Sequence, residues 1–382
     1  MTLNYLQKIR YLFFHKEINI QLVNLIFLLF SFLLFGTLIG YYKIVQPDLK
    51  LHLKHSIDMM DGKLIAHPTF FLLVQIFSGF SRNETILLFT STILLSLSQY
   101  FKCTLSIQLI KEIFSLPTSI VCVGGVLIAQ VAIGNSLLLN HYIAGNISPN
   151  YFHNGTYLMS MPFVLLFIIE NFRYYKDGKN EHSYLMLVYG LLIILTKPSF
   201  LFCWLPVMPF LWWLKFGSTK SLLRILQVAV LLAVGIIIQS QVLKSGSANF
   251  KVIFDPLMYF GSLKDHIKIF IASQFFFLAV VLLFRNRIND SPLTMATILL
   301  ALQGFIISFS FYDVINGIIS PNMTWQSSII AYIELIVGLG IVIKYYEEMR
   351  IQAFICSLAL LIQFICGIRY IQMSILNHSF YI

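Results

Sequence analysis

The sequence predicts an all-α fold, a polytopic membrane bundle of about eleven transmembrane helices. Hydrophobic residues fill 58% of the 382 positions, charged residues fill only 11%, and 35 residues are phenylalanine. A water-soluble protein of this length cannot hide so much apolar side chain from water. We therefore predict that residues 1–382 form one integral membrane domain.

Long apolar runs, separated by charged breaks, supply the predicted spans. A run of about 20 residues crosses a bilayer as a helix. The first run, Ile20 to Tyr42, exceeds the core of a signal peptide and has no small-residue cleavage site after it, so we expect it to stay in the mature protein. The run centres lie near residues 31, 92, 128, 164, 189, 206, 232, 276, 301, 335 and 361.

Two segments do not fit one full span each. Thr69 to Phe80 is apolar but, at about 12 residues, too short to cross, so we interpret it as an interfacial or partly inserted helix with Pro68 at its first turn. Residues 183–214 are too long for one helix, and Lys197-Pro198 in their middle supplies a charge and a helix break. We predict a hairpin of two spans with Lys197 at the outer surface.

Cationic residues set the expected orientation in the plasma (inner) membrane. The basic start of the chain predicts a cytoplasmic amino terminus, because cytoplasmic loops collect Lys and Arg. Alternate breaks are then cytoplasmic too, and they contain Lys102 and Lys111, then Arg173, Lys176 and Lys179, then Lys215, Lys220 and Arg224, then Arg285 and Arg287, then Lys344 and Arg350. The net charge of +10 is explained largely by such flanking cations, so nucleic acid is not an expected partner.

The first outer loop, about residues 43–83, carries the densest group of polar side chains. Its apolar residues recur at helical spacing and predict an amphipathic helix lying flat on the outer leaflet. They are Leu49, Leu53, Ile57, Met60 and Leu64. The polar residues fall on the other faces, namely Asp48, His52, His55 and Asp58. Pro47 places Asp48 in the first turn, where the helix dipole keeps its carboxylate ionised.

Each of these polar residues is by itself typical of the solvated face of an interfacial helix. Together they favour a functional loop, because a carboxylate at the membrane surface can act as a general base on a substrate whose lipid tail stays in the bilayer. The candidate catalytic residues are Asp48, Asp58 and Asp61. The candidate substrate-binding residues of this loop are His52, Lys54, His55, His67 and Arg82.

Metal binding is an alternative use of the same loop. His52 and His55, one turn apart with Asp48 or Asp58 beside them, could hold zinc or manganese, although such helical pairs often occur by chance. The five cysteines have no CxxC spacing and predict neither a disulfide framework nor a zinc site. A divalent metal is thus a possible cofactor that the sequence does not require.

The rest of the sequence adds three further candidates, two in outer loops and one within a span. The turn-rich loop around residues 141–157 offers His153, Asn154 and aromatic rings, which suit the binding of uncharged polyols, although the loop could equally only cap the bundle. Lys197 is a lone cation at membrane depth that either binds an anionic phosphate or snorkels to the interface. Glu334, about eight residues into a span, is the best proton-relay candidate of a transporter.

The predicted topology and the stretch from Asp48 to Pro68 resemble the polytopic glycosyltransferases of the GT-C architecture. In that family an Asp or Glu of the first outer loop is the catalytic base. The resemblance implies a transferase with a polyprenyl-phosphate-linked sugar donor at the outer face, in surface polysaccharide or glycolipid synthesis. It implies Asp48 as the base, with Asp58 or Asp61 as substitutes. The segments NISPNYFHNGT and TKPSF also resemble uncharacterised bacterial membrane proteins of polysaccharide gene clusters.

Two other functions stay open. Polysaccharide polymerases of the O-antigen or capsule type are also helical, but they rely on outer-loop arginines, and this chain has at most Arg82 and Arg369 outside. A transporter or flippase of lipid-linked sugars is favoured mainly by Glu334, and it should have ionisable groups deep in several spans. The expected partners are a lipid-linked sugar donor, a glycan or lipid acceptor and membrane lipids.

Overall fold

The computed structural model of this protein describes residues 2–44, 48–65, 67–139, 148–150, 152, 154–217, 219–246, 250–256, 263–315, 318–320 and 324–378. The helices of the first half are α1 (Thr2–Phe14), α2 (Ile20–Phe35, continued by the π-helical segment Gly36–Tyr41), α3 (Asp48–Met60), α4 (Thr69–Phe77), α5 (Glu84–Phe114), α6 (Ile120–Val131), α7 (Ser136–Leu139) and α8 (Gly155–Asp177). Those of the second half are α9 (Asn180–Thr196), α10 (Ser199–Phe216), α11 (Lys220–Gly246), α12 (Leu263–Ser273), α13 (Phe275–Leu283), α14 (Pro292–Ser310), α15 (Trp325–Lys344) and α16 (Arg350–Leu376), with a 3₁₀ turn at Arg285–Asp290.

The prediction of a helical membrane protein agrees with the structure, but the count of eleven spans is not confirmed. By length and composition, seven helices of the described residues can cross a membrane: Ile20–Tyr41, Glu84–Phe114, Gly155–Asp177, Lys220–Val242, Pro292–Ser310, Trp325–Lys344 and Arg350–Leu376. The pair α12 and α13, bent by 78°, adds an eighth if it counts as one span. Each predicted centre lies in a helix, yet α6 has only 12 residues, about 18 Å, and α10 contains two prolines.

A small antiparallel sheet, which the sequence pattern does not predict, joins two loops at one end of the bundle. Its strands are β1 (Phe250–Phe254), β2 (Phe311–Ile315) and β3 (Ile318–Ser320). Phe250 pairs with Ile315, and Asp313 pairs with Ser320. Aromatic and β-branched residues favour strands, so two loops rich in them pair once the bundle brings them together.

The loops fall into two groups at opposite ends of the bundle. At one end, which we call the loop end, the first outer loop meets the start of α8 and the end of α9. The turn between α9 and α10 packs there against Trp325 at the start of α15. At the amino-terminal end, the carbonyl of Thr118 accepts from the amide of Ile18 at 2.8 Å, and Arg173 of α8 pairs with Glu112 of α5 at 2.6 Å. This is the grouping expected from alternate breaks, whereas the cytoplasmic position of the amino terminus stays a prediction.

Local signals set helix ends at both ends of the bundle. The side chain of Asn83 accepts from the amides of Thr85 and Ile86 and starts α5. The carbonyl of Tyr174 accepts from the amide of Gly178, whose φ of 69° ends α8 in the left-handed conformation that glycine adopts without strain. Such caps supply partners for backbone groups that a helix leaves unpaired.

Candidate functional site

Helix α3 packs against the protein through a face that includes His52. Leu49 and Leu53 are buried, and His52 is only 8% exposed. The imidazole of His52 lies 5.7 Å from the ring of Phe70 and 5.4 Å from the ring of Phe71. The prediction that His52 belongs to a solvated face is therefore wrong. Helix α4 folds back onto α3 and covers the histidine with aromatic rings, which the spacing within α3 alone cannot reveal.

His52 joins the first loop to the start of α8. Its Nδ1 accepts a hydrogen bond of 3.3 Å from the amide of Gly155, so this nitrogen carries no proton and the imidazole is neutral. The side-chain oxygen of the buried Asn154 accepts from the amide of Tyr157 at 2.9 Å and caps the helix. A Cβ on Gly155 would lie 2.7 Å from the ring of Phe70, so only glycine permits this close approach.

His67 joins the same loop to the end of α9. Its Nδ1 accepts from Nε2 of Gln239 at 2.5 Å, and Nε2 of Gln239 also donates to the carbonyl of Ile194 at 2.7 Å. The hydroxyl of Thr69 donates to the carbonyl of Leu195 at 3.1 Å. Although His67 is partly exposed, burial of its ring lowers its pKa to about 4, and the charge of Lys197 acts in the same direction. His67 is thus a neutral acceptor at physiological pH.

Lys197 lies in the turn between α9 and α10, as the predicted hairpin requires, but it is not at the surface. The residue is 8% exposed, and its Nζ lies 4.0 Å from the ring centre of Trp325. That indole packs 5.7 Å from the ring of Tyr157, whose hydroxyl donates to the carbonyl of Pro149 at 2.9 Å. Snorkelling to the interface is therefore the wrong interpretation, because Lys197 is buried and its amine lies against the indole of Trp325 of α15.

Two of the three candidate catalytic carboxylates, Asp58 and Asp61, form ion pairs within the first loop. Asp58 pairs with Lys63 at 2.6 Å, and Asp61 pairs with Arg82 at 2.5 Å. The hydrogen bond from Lys63 lowers the pKa of Asp58, which keeps that carboxylate ionised. Lys63, Asp61 and Arg82 are exposed, so these pairs form a charged rim around the loop.

His55 and Lys54 lie nearer to this rim than to the buried part of the loop. The Nδ1 of His55 lies 3.8 Å from an oxygen of Asp58, and its ring packs 5.5 Å from that of Phe71. Burial lowers the pKa of His55, although Asp58 opposes the effect. Lys54 is exposed. His52 and His55 both pack on the ring of Phe71, and His55 also lies near Asp58. Among the described side chains no three His, Cys, Asp or Glu residues could hold one metal ion.

Two predicted site residues fall partly or wholly outside the described residues. Asp48 is the first residue of α3, four positions before His52, and positions with this spacing share one helix face. Its side chain is outside the described part of the chain. His153 lies wholly outside the described residues, next to Asn154.

Lys102 is not in a cytoplasmic break, so its predicted position is wrong. Lys102 is 1% exposed in the middle of α5, where its Nζ donates to Oδ1 of Asn150 at 2.6 Å and lies 3.8 Å from the ring centre of Tyr332. A signal for this was present in the sequence. The 31 residues of α5 contain neither Pro nor Gly and follow the capping residue Asn83, so one uninterrupted helix is the simpler interpretation.

A buried polar network surrounds Lys102. The hydroxyl of Tyr332 accepts from Nε2 of Gln130 at 2.7 Å and lies 2.7 Å from the hydroxyl of Ser106. The side-chain amide of Asn150 donates to the carbonyls of Ala129 and Ala132, at 2.7 and 2.6 Å. Because α6 stops part-way along the bundle, its last carbonyls need such partners, and residues 148–150 reach inward to supply them.

Glu334 lies within a membrane-spanning helix, as the sequence predicts. It is 1% exposed within α15, and its Oε2 has no hydrogen-bond partner among the described residues.

No protein-family model matches this chain, and no curated protein matches it either. The resemblance to GT-C glycosyltransferases therefore depends on topology and on the first loop.

Proposed function

We propose that this protein is a membrane glycosyltransferase that uses a sugar carried on a polyprenyl phosphate at the outer face of the plasma membrane. The packing of the first loop carries the proposal. Two short helices, α3 and α4, lie between the spans α2 and α5 and are bonded to the start of α8 and to the Lys197 turn. Polar groups from four separate segments are thereby held at one end of the bundle.

In the proposed reaction Asp48 is the catalytic base. Its carboxylate takes the proton of an acceptor hydroxyl, and the hydroxyl oxygen attacks the anomeric carbon of the donor sugar. The bond from that carbon to the phosphate oxygen breaks, and the polyprenyl phosphate leaves with the electron pair. We favour Asp48 over the other carboxylates because Asp58 and Asp61 already pair with Lys63 and Arg82.

Lys197 is the proposed partner of the donor phosphate. A lysine of low exposure attracts an anion more strongly than an exposed one, because water screens it less. The indole of Trp325 covers the amine, so the ring has to move aside when the phosphate binds. Lys54 and Arg82 at the exposed rim guide the anionic donor, whereas Asn154 and His153 orient a sugar.

The test compares Asp48→Asn with Asp61→Asn in the native host, at membrane levels matched by immunoblot. The Asn side chain keeps the size of Asp but cannot take the proton, so we expect Asp48→Asn to lose surface polysaccharide and accumulate lipid-linked sugar. A general base contributes about 10²- to 10⁴-fold to a rate. Asp61→Asn removes only a rim ion pair and should keep most of the glycan. Unchanged surface glycan in Asp48→Asn would exclude that residue as the base.

Product analysis separates the related functions. A polymerase of the O-antigen or capsule type joins lipid-linked glycans to each other, so its loss shortens the glycan chains without removing the first unit. A transporter or flippase is favoured by the buried Lys102 and Glu334. Its loss leaves the lipid-linked sugar in the inner leaflet, whereas loss of an outer-face transferase leaves it in the outer leaflet.

A further inference from the structure

Glu334 lies in the most enclosed helix of the bundle. Every residue of α15 from Trp325 to Ile343 is buried. An ionised carboxylate in such surroundings is costly unless a cation neutralises it. The carboxylate of Glu334 nevertheless has an oxygen, Oε2, with no hydrogen-bond partner among the described residues.

The face of α15 that carries Glu334 is turned toward α13 and α14. One turn before it, Ile330 contacts the position of a Cβ on Gly304 of α14, at 2.9 Å. One turn after it, a Cβ on Gly338 would lie 2.7 Å from the ring of Phe276 of α13. Glu334 therefore sits between these two contacts, at the level where α13 begins.

No described cation neutralises Glu334 from the helices around it. Helices α13 and α14 contain no titratable side chain. Lys102 of α5 is held on the opposite face of α15, because it contacts the ring of Tyr332, two residues along the helix. The remaining titratable groups of α6, α10 and α16 are exposed Lys or Arg residues and buried neutral groups, namely Cys122, Cys203, Cys356, Cys366 and Tyr370.

A small cavity lies beside the residues one and two turns before Glu334, and one of its lining residues has a second unpartnered oxygen. Its lining includes Ile330, Ser327 and Gln274. Gln274 occupies the 78° break between α12 and α13, is 5% exposed, and its Oε1 has no hydrogen-bond partner in the described part of the chain. Interrupted helices inside membrane bundles expose oxygen atoms that can bind small cations.

We propose that Glu334 and Gln274 form a binding site for a small monovalent cation, a proton or a sodium ion, inside the bundle. The carboxylate supplies the charge and the amide oxygen supplies a neutral ligand, and hard cations prefer such oxygens. The bound cation neutralises Glu334 and connects α15 to the break between α12 and α13. This site is independent of the glycosyltransferase activity proposed for the loop end.

The test measures labelling of Glu334 by a hydrophobic carbodiimide in the purified full-length protein in detergent. The reagent needs the protonated carboxyl group, so a bound sodium ion protects the residue. Labelled peptides are quantified by mass spectrometry across pH, in sodium chloride and in choline chloride of equal ionic strength. We expect labelling to fall as pH rises. Additional protection by sodium over choline identifies a sodium site, and its absence identifies a proton site.

Two variants and a second measurement complete the test. Gln274→Leu removes the amide oxygen but keeps Glu334, and we expect it to shift the half-maximal pH or sodium concentration about tenfold, equivalent to one pKa unit. Thermal unfolding is followed in parallel, because a bound cation stabilises the folded state by mass action. Glu334→Gln should remove the dependence of the Tm on that cation. The proposal fails if neither labelling nor the Tm difference between wild type and Glu334→Gln responds to pH or sodium.

Discussion

Two histidines hold the first loop in place as neutral hydrogen-bond acceptors. His52 accepts from the amide of Gly155, and His67 accepts from the side chain of Gln239. Each acceptor loses its bond if the imidazole nitrogen takes up a proton. Acidification therefore weakens the two hydrogen bonds by which these histidines attach the loop to the rest of the bundle.

The pH dependence of stability tests the role of His67. Its pKa falls from 6.5 to about 4 on folding, so between these values the unfolded chain binds more protons than the folded one. The stabilisation of the folded state by neutral His67 is present above pH 6.5 and is lost as the pH falls toward 4. We expect His67→Asn to flatten the fall of the Tm in this window. Asn tolerates the positive φ of 57° at this position and stays neutral.

A matched control for that measurement is His15→Asn, at an exposed position beside α1. This variant should leave the pH profile of the Tm unchanged. Equal flattening in both variants would show that the effect does not come from the His67–Gln239 contact.

At the level of secondary-structure elements, the segment 148–150 supplies hydrogen-bond donors to the end of α6. The helix ends inside the bundle, and Asn150 takes up two of its terminal carbonyls while accepting from Lys102. One side chain thus pairs with α5 and α6 at once. The same network includes Tyr332 of α15 through its contact with Lys102.

Replacement of Asn150 should destabilise the bundle more than replacement of Lys102. Asn150→Ala leaves the buried amine and two carbonyls without this partner, whereas Lys102→Met leaves only one amide oxygen. Each buried polar group left unpaired costs about 1–3 kcal/mol. Equilibrium unfolding in detergent measures the free energy of unfolding of both variants and of the double variant. The double variant should lose less stability than the two single variants together, because the two residues interact.

The control for this series is Lys111→Met, in the same helix at a side chain that is 42% exposed. It should change the unfolding free energy little, since exposed ion pairs contribute at most about 1 kcal/mol. A loss in Asn150→Ala no larger than that of the control would contradict the assigned network.

The whole molecule has two chemically different ends. The loop end carries the neutral histidines, Lys197 and the charged rim, whereas the amino-terminal end carries the ion pairs of Arg173 with Glu112 and Glu170. Helix α8 runs from one end to the other, from Asn154 to Asp177. The proposed acceptor outside the cell can reach only the end that faces outward, so the proposal requires the loop end to face outward.

Cysteine labelling tests this orientation. We expect Lys63→Cys to react with a membrane-impermeant maleimide in intact cells, and Lys179→Cys to react only after the membrane is opened. Both residues are exposed, with side chains 62% and 64% accessible, so they are matched in reactivity. The five native cysteines are buried, which keeps the background low. The reverse pattern would place the loop end in the cytoplasm and exclude an outer-face transferase.

The sequence by itself determined the membrane class, the helix positions and the short helices of the first loop. Hydropathy and helical spacing are local properties, and Pro68 lies at the start of α4, as predicted. The predicted environments of three polar residues were wrong. His52 and Lys197 were expected at the surface and Lys102 in a break between spans, but all three are buried. Asp48 as the base is still a prediction.

The tertiary structure alone decided which polar groups are buried and what they contact. Lys102 and Asn150 lie 48 positions apart, and His67 and Gln239 lie 172 apart, so no local pattern connects them. The break at Gln274 and the three-stranded sheet also follow from packing between distant segments. The environment of a polar side chain in a membrane protein depends on its neighbours from other helices, because these replace the water that would otherwise bind it.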